Sequence, residues 1–183
     1  MILVFYDLET TGFSKQHNDI IEISAIAWNN ETEEIEDTFS SYIKPTTLIP
    51  TMITQLTGIS NFKVKDCAGY WDVAPQFFAW LKNWKPDAMV GYNNTVFDWP
   101  FITTQNLRYN INGIDNYKQI DVLKIVREMK KNGLLDATNL PDVKQVTVAK
   151  YFNIDYDAHD AIEDVKALLK IYIELRKINP TLM

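Results

Sequence analysis

The sequence predicts a layered α/β fold built on a mixed sheet. Three observations carry this expectation. Three strand-like segments come first, joined by short connections. Strand candidates then alternate with helix candidates through the rest of the chain. No repeat, low-complexity tract or Gly/Ser/Pro-rich linker interrupts the 183 residues, so one domain over 1–183 is expected.

Ile2 to Tyr6 is an apolar run that fits a strand buried on both faces, and Gly12 follows as a breaker. Ile20 to Trp28, rich in Ile and Ala, reads as a second strand. Asn29-Asn30 signals a turn, and Asp37 to Ile43 reads as a third strand, which makes an antiparallel meander. Pro50 to Leu56 and Val73 to Trp84 have helical character, and Ala88 to Tyr92 is a short strand. Phe97 to Tyr109 is helical, with Pro100 tolerated in its first turn. Gln119 to Val122 reads as a strand end that runs into a helix reaching about Lys131. Val143 to Phe152 and Ala158 to Lys177 complete the set as helices.

Composition narrows the class. At 46% hydrophobic and 13% aromatic residues, the chain can bury a substantial core. No apolar run approaches the roughly 20 residues needed to span a bilayer, and no membrane partner is expected. Met1 to Tyr6 lacks a basic leader and runs into Asp7 and Glu9, unlike a signal peptide. The single cysteine, Cys67, can form neither an internal disulfide nor a cysteine zinc cage. A soluble, cytoplasmic protein is the expectation. The net charge of −6 argues against an architectural DNA binder, which would meet phosphates with basic side chains. It is compatible with an enzyme whose carboxylates hold divalent metals.

The acidic residues carry the chemistry. Asp7 and Glu9 stand two apart at the end of the first strand, so their side chains share a face. Adjacent carboxylates repel and raise each other's proton affinity, an arrangement that a cation relieves. Asp98 falls in a first helical turn, where an acid also favours the helix dipole. In the last helix Ala161, Val165, Leu168, Tyr172 and Leu175 form an apolar stripe. Asp164 lies at the edge of that stripe and needs a hydrogen bond or a metal. His159 stands at the start of the same helix, with Asp157 as a cap; the dipole there favours neutral imidazole, which can take a proton. Singly, each of these residues also has an ordinary structural explanation.

Their order matches a family. Asp7-Leu8-Glu9-Thr10-Thr11-Gly12 resembles the Asp-x-Glu-Thr-x-Gly motif of the DEDDh exonucleases, the group containing the proofreading epsilon subunit of bacterial replicative polymerases. Asn93 to Asp98 resembles the second motif, and His159 to Asp164 resembles the third. Leu56-Thr57-Gly58-Ile59 is similar to a segment found between the first two, and Asp121 to an Asp between the second and third. The match runs from Ile2 to about Leu175. One departure stands out: the second motif usually begins His-Asn, whereas here it begins Tyr92-Asn93, with an expected effect on substrate fit.

The resemblance implies a ribonuclease H-like fold, a five-stranded mixed sheet flanked by helices. It implies two Mg²⁺ or Mn²⁺ ions held by Asp7, Glu9, Asp98 and Asp164, with Asp7 shared between them and His159 as general base. It implies release of nucleoside 5′-monophosphates from single-stranded or frayed 3′ ends of DNA, with a DNA polymerase as partner. Thr10, Thr11, Gly12, Phe13 and Asn93 are the expected nucleic-acid contacts, with Phe62 a second aromatic candidate. Lys124, Arg127 and Lys131 form one stripe on a predicted helix, suited to a phosphate backbone or simply to water. Two further readings stay open: an RNA-trimming enzyme of the ribonuclease T or oligoribonuclease kind, and a nuclease-fold binding subunit of a replication assembly.

Overall fold

The computed structural model describes residues 1–111, 116–156 and 161–182. The three N-terminal strands are β1 (Ile2–Thr10), β2 (Ile20–Asn29) and β3 (Glu34–Tyr42). They form the expected meander, β2 pairing antiparallel with both neighbours. β4 (Ala88–Gly91) and β5 (Gln119–Asp121) add parallel to β1, giving a five-stranded mixed sheet of order β3-β2-β1-β4-β5. The helices are α1 (Thr51–Thr57), α2 (Asn61–Val64), α3 (Tyr70–Trp84), α4 (Asp98–Arg108), α5 (Val122–Lys131), α6 (Gln145–Tyr151) and α7 (Ala161–Ile178).

Alternation along the strands divides the core into two layers. Leu3 and Phe5 of β1, with Ile26 and Trp28 of β2, face α5, α6 and α7. Val4, Tyr6 and Leu8, with Ile23, Ala25 and Ala27, face α3 and α4. Tyr172 of α7 packs edge-on against Phe5 and Trp28, with ring centroids 5.4 and 6.5 Å away. These contacts set the height of α7 over the sheet. The stripe from Ala161 to Leu175 is buried as its spacing predicts.

The differences from expectation lie at boundaries. β3 begins at Glu34 rather than Asp37, because backbone pairing with β2 carries it through exposed acidic residues that show no apolar pattern. α3 starts at Tyr70 rather than Val73, because Tyr70 is buried and its hydroxyl donates to Asn106 Oδ1 at 3.0 Å. The short α2 was not expected; Ser60 caps it through the Lys63 N–H. Among the described residues no helix is long and apolar enough to cross a membrane.

Candidate active site

On the α7 face of β1, apolar Leu3 and Phe5 give way to Asp7 and Glu9. Directly opposite them on β2 lie Ser24 and Glu22, both buried. The face that is greasy under α7 thus becomes polar where the first turn of α7 brings in Asp164. Carboxylate oxygens of Asp7, Glu9 and Asp164 all lie within 4.8 Å of one another. Gln145, at the start of α6, ties Asp164 from the side: its Nε2 donates to the Asp164 carbonyl at 2.9 Å and to Oδ1 at 3.2 Å.

Asp98, only 3% exposed, completes the constellation from the first turn of α4. The loop before it is tightly specified. Asp121 caps α5 through the Leu123 N–H and reaches back to accept from the Asn93 N–H at 3.0 Å and the Thr95 hydroxyl at 2.6 Å. Asn93 adopts a left-handed conformation, φ 66°. Asn94 is buried and donates to Gln119 Oε1 at 2.9 Å, which also accepts from the Tyr6 hydroxyl. Gly91 is required here, because a Cβ at that position would lie 2.4 Å from the Asn94 Cβ.

Electrostatics shows that the acids are crowded. Burial pushes the Asp7 carboxyl well above the usual carboxylate range, and Asp98, Glu9, Asp164 and Glu22 add repulsion in that order. Asp7 still opens onto the cleft on one side. Burial raises Asp98 to about 7, against backbone hydrogen bonds from Asp98 itself and Leu8 that favour its charged form. Repulsion among close carboxylates, with an all-oxygen donor set, fits a hard divalent cation.

The cleft, of about 350 Å³, is lined by Asp7, Glu9, Asp98 and Asp164 together with Asn93, Tyr92, Lys144, Gln145 and Tyr156. His159 lies outside the described residues, as does Asp157. Of the expected nucleic-acid contacts, Asn93 lines the cleft. Thr10 and Thr11 are buried, and their hydroxyls serve the loop itself: Thr10 donates to the Gly12 carbonyl and Thr11 accepts from the Asp19 N–H. The space beside Gly12 is taken by Asn18, whose Oδ1 would lie 2.7 Å from an added Cβ. Phe13 and Phe62 are 74% and 75% exposed and neither lines the cleft. Tyr92 donates to the Val143 carbonyl at 2.6 Å, tying β4 to the approach of α6. Lys124, Arg127 and Lys131 are exposed on α5, with Lys124 4.0 Å from Asp121.

Several residues of this region escape sequence reading. Glu22 carried a signal: with Ser24 it places two polar side chains on one face of an otherwise apolar strand. Asp19 did not. It is buried and accepts from Arg108 at 2.7 Å and from Thr46, holding the 11–19 loop to α4. Gln145 and Tyr156 carry no local signal either, since only tertiary packing brings them to Asp164.

Comparison with known proteins agrees with this geometry. Residues 4–172 match the family model described as Exonuclease, RNase_T. The DNA polymerase III PolC-type protein of Caldanaerobacter subterraneus subsp. tengcongensis is 32% identical over 173 residues, 94% of this chain and 11% of that protein. The chain therefore spans about a tenth of the length of the curated relatives it matches. Among solved structures, the nuclease domain of 3′hExo, a DEDDh family member bound to rAMP, superposes with a TM-score of 0.79 at 21% identity, covering 97% of this chain and 92% of that one. Zinc-bound exonuclease I of E. coli in complex with single-stranded DNA gives 0.83 at 21%, covering 99% and 41%. The likeness confirms the ribonuclease H-like fold. The chain belongs to the RNase_T exonuclease family.

Proposed function

We propose that this chain removes nucleoside 5′-monophosphates one at a time from single-stranded or frayed 3′ ends of DNA. The observation that carries the reading is the meeting of Asp7, Glu9 and Asp164 within 4.8 Å, beside buried Asp98. Asp7, Glu9, Asp98 and Asp164 would hold two Mg²⁺ or Mn²⁺ ions. Bound there, such ions activate water and stabilise the leaving oxygen of a phosphodiester.

The protein side of the reaction falls to named residues. Asp98, whose carboxyl burial raises to about 7, would take part in holding a cation in its charged form. Gln145 holds the Asp164 carboxylate in place. His159 accepts the proton of the attacking water, a role suited to an unperturbed pKa of about 6.5. Asn93 contacts the terminal nucleotide from its left-handed turn, as do the backbone at Thr10, Thr11 and Gly12 and the exposed ring of Phe13. The PolC-type relatives favour DNA over RNA and a DNA polymerase as the source of the 3′ end.

The test is parallel digestion of matched single-stranded DNA, 3′-mispaired duplex and RNA in Mg²⁺ and Mn²⁺. DNA is expected to be degraded fastest, and Asp7→Ala to abolish activity with the circular dichroism spectrum unchanged. Robust metal-dependent activity of Asp7→Ala would remove the assignment, and faster loss of RNA would reverse the substrate class.

A further inference from the structure

Tyr156 lies just ahead of α7 and lines the same cleft as the four carboxylates. Among the described residues, buried side-chain polar atoms without a partner occur on Asn94, Gln105, Asn106, Tyr156 and Tyr172, and of these residues Tyr156 alone lines the cleft. Its hydroxyl lies close enough to Asp164 and Gln145 to feel both, yet closes a hydrogen bond of full geometry with neither. A phenol hydroxyl is a hydrogen-bond donor at neutral pH.

A buried donor left open in a folded chain calls for an acceptor. Asp164 is within reach but already receives Gln145, whose amide spans its carbonyl and Oδ1. What the reaction brings into the cleft is a phosphodiester, whose non-bridging oxygens are strong acceptors. We propose that the Tyr156 hydroxyl donates a hydrogen bond to a non-bridging oxygen of the scissile phosphate, as a catalytic contact independent of the carboxylate set. This rests on the phosphodiester reading above. Tyr156 stays neutral and undergoes no proton transfer; its donor stabilises charge that grows on the phosphate oxygens as water attacks.

The test compares Tyr156→Phe with the parent chain in two measurements. The first is single-turnover cleavage of a 3′-terminal nucleotide from single-stranded DNA in Mg²⁺. The second is calorimetric binding of Mn²⁺ alone and then of thymidine 5′-monophosphate to the Mn²⁺-loaded protein. Expected are a rate about ten- to a hundredfold lower and weaker monophosphate binding, in line with loss of one hydrogen bond to a charged group. Mn²⁺ affinity and melting temperature should stay unchanged. Parent-like rate and monophosphate binding in Tyr156→Phe would overturn the proposal. So would a fall in Mn²⁺ affinity matching the fall in rate, which would make the hydroxyl a support for Asp164. If the parent chain cleaves no nucleic acid but monophosphate binding still depends on Tyr156, the exonuclease reading fails while this contact stands.

Discussion

Asp98→Asn should make the metal-free protein more stable while destroying its function. The Asp98 carboxyl is raised from 3.8 to about 7, chiefly by burial. A folded-state value above the unfolded one means that the folded chain holds a proton which the unfolded chain has released between these two values. Stability therefore falls as pH rises through that window and levels off above it. At about 1.4 kcal/mol per unit, the full effect is of order 4 kcal/mol at pH 8. Asparagine keeps the shape and carries no charge, so Asp98→Asn loses this pH dependence. In EDTA, thermal unfolding followed by circular dichroism should give matching midpoints for the two proteins near pH 4. At pH 8 the variant should melt about 10 °C higher, given about 2–4 °C per kcal/mol for a chain of this size. Excess Mg²⁺ at pH 8 should raise the parent chain more than the variant, because bound cation stabilises the folded state by mass action. Equal midpoints across the range in EDTA, or a variant less stable than the parent at pH 8, would refute the claim that the site is held under electrostatic strain.

Three further outcomes are expected. His159→Ala should cut turnover by about two to four orders of magnitude, and the remaining rate should lose its dependence on a group titrating near neutrality; single-turnover rates over pH 5 to 9 check this. Gln145→Leu should release Asp164 and weaken Mn²⁺ binding, by about tenfold if one hydrogen bond to a charged group is lost, measured by calorimetry. Charge reversal at Lys124 and Arg127 should weaken binding of single-stranded DNA and flatten its salt dependence if α5 tracks the backbone, whereas unchanged fluorescence-anisotropy titrations would mark the stripe as a solvated face.

The sequence by itself determined the layers, the strand order of the meander and the four carboxylates. Periodicity records which face of an element is buried, and the residues of β1, β2 and α7 obey it closely: Leu3 and Phe5 go under α7, and so do Ala161, Val165, Leu168, Tyr172 and Leu175. Asp7 and Glu9 share a face for the same reason, since a strand allows nothing else. The start of β3 was not legible, because backbone pairing rather than side-chain pattern carries Glu34 to Glu36. Nor was the fate of Thr10, Thr11 and Gly12, whose side chains and space are used inside their own loop by Asp19 and Asn18. Only the tertiary structure decided how the acids meet. The aromatic contacts of Tyr172 with Phe5 and Trp28 set α7 so that Asp164 reaches Asp7 and Glu9. Asp121 anchors the loop that leads to Asp98. Gln145 and Tyr156 arrive from segments with no motif of their own. A motif specifies residue types along one chain segment, whereas repulsion between carboxylates, and whatever relieves it, depends on distances that close only when separate segments pack.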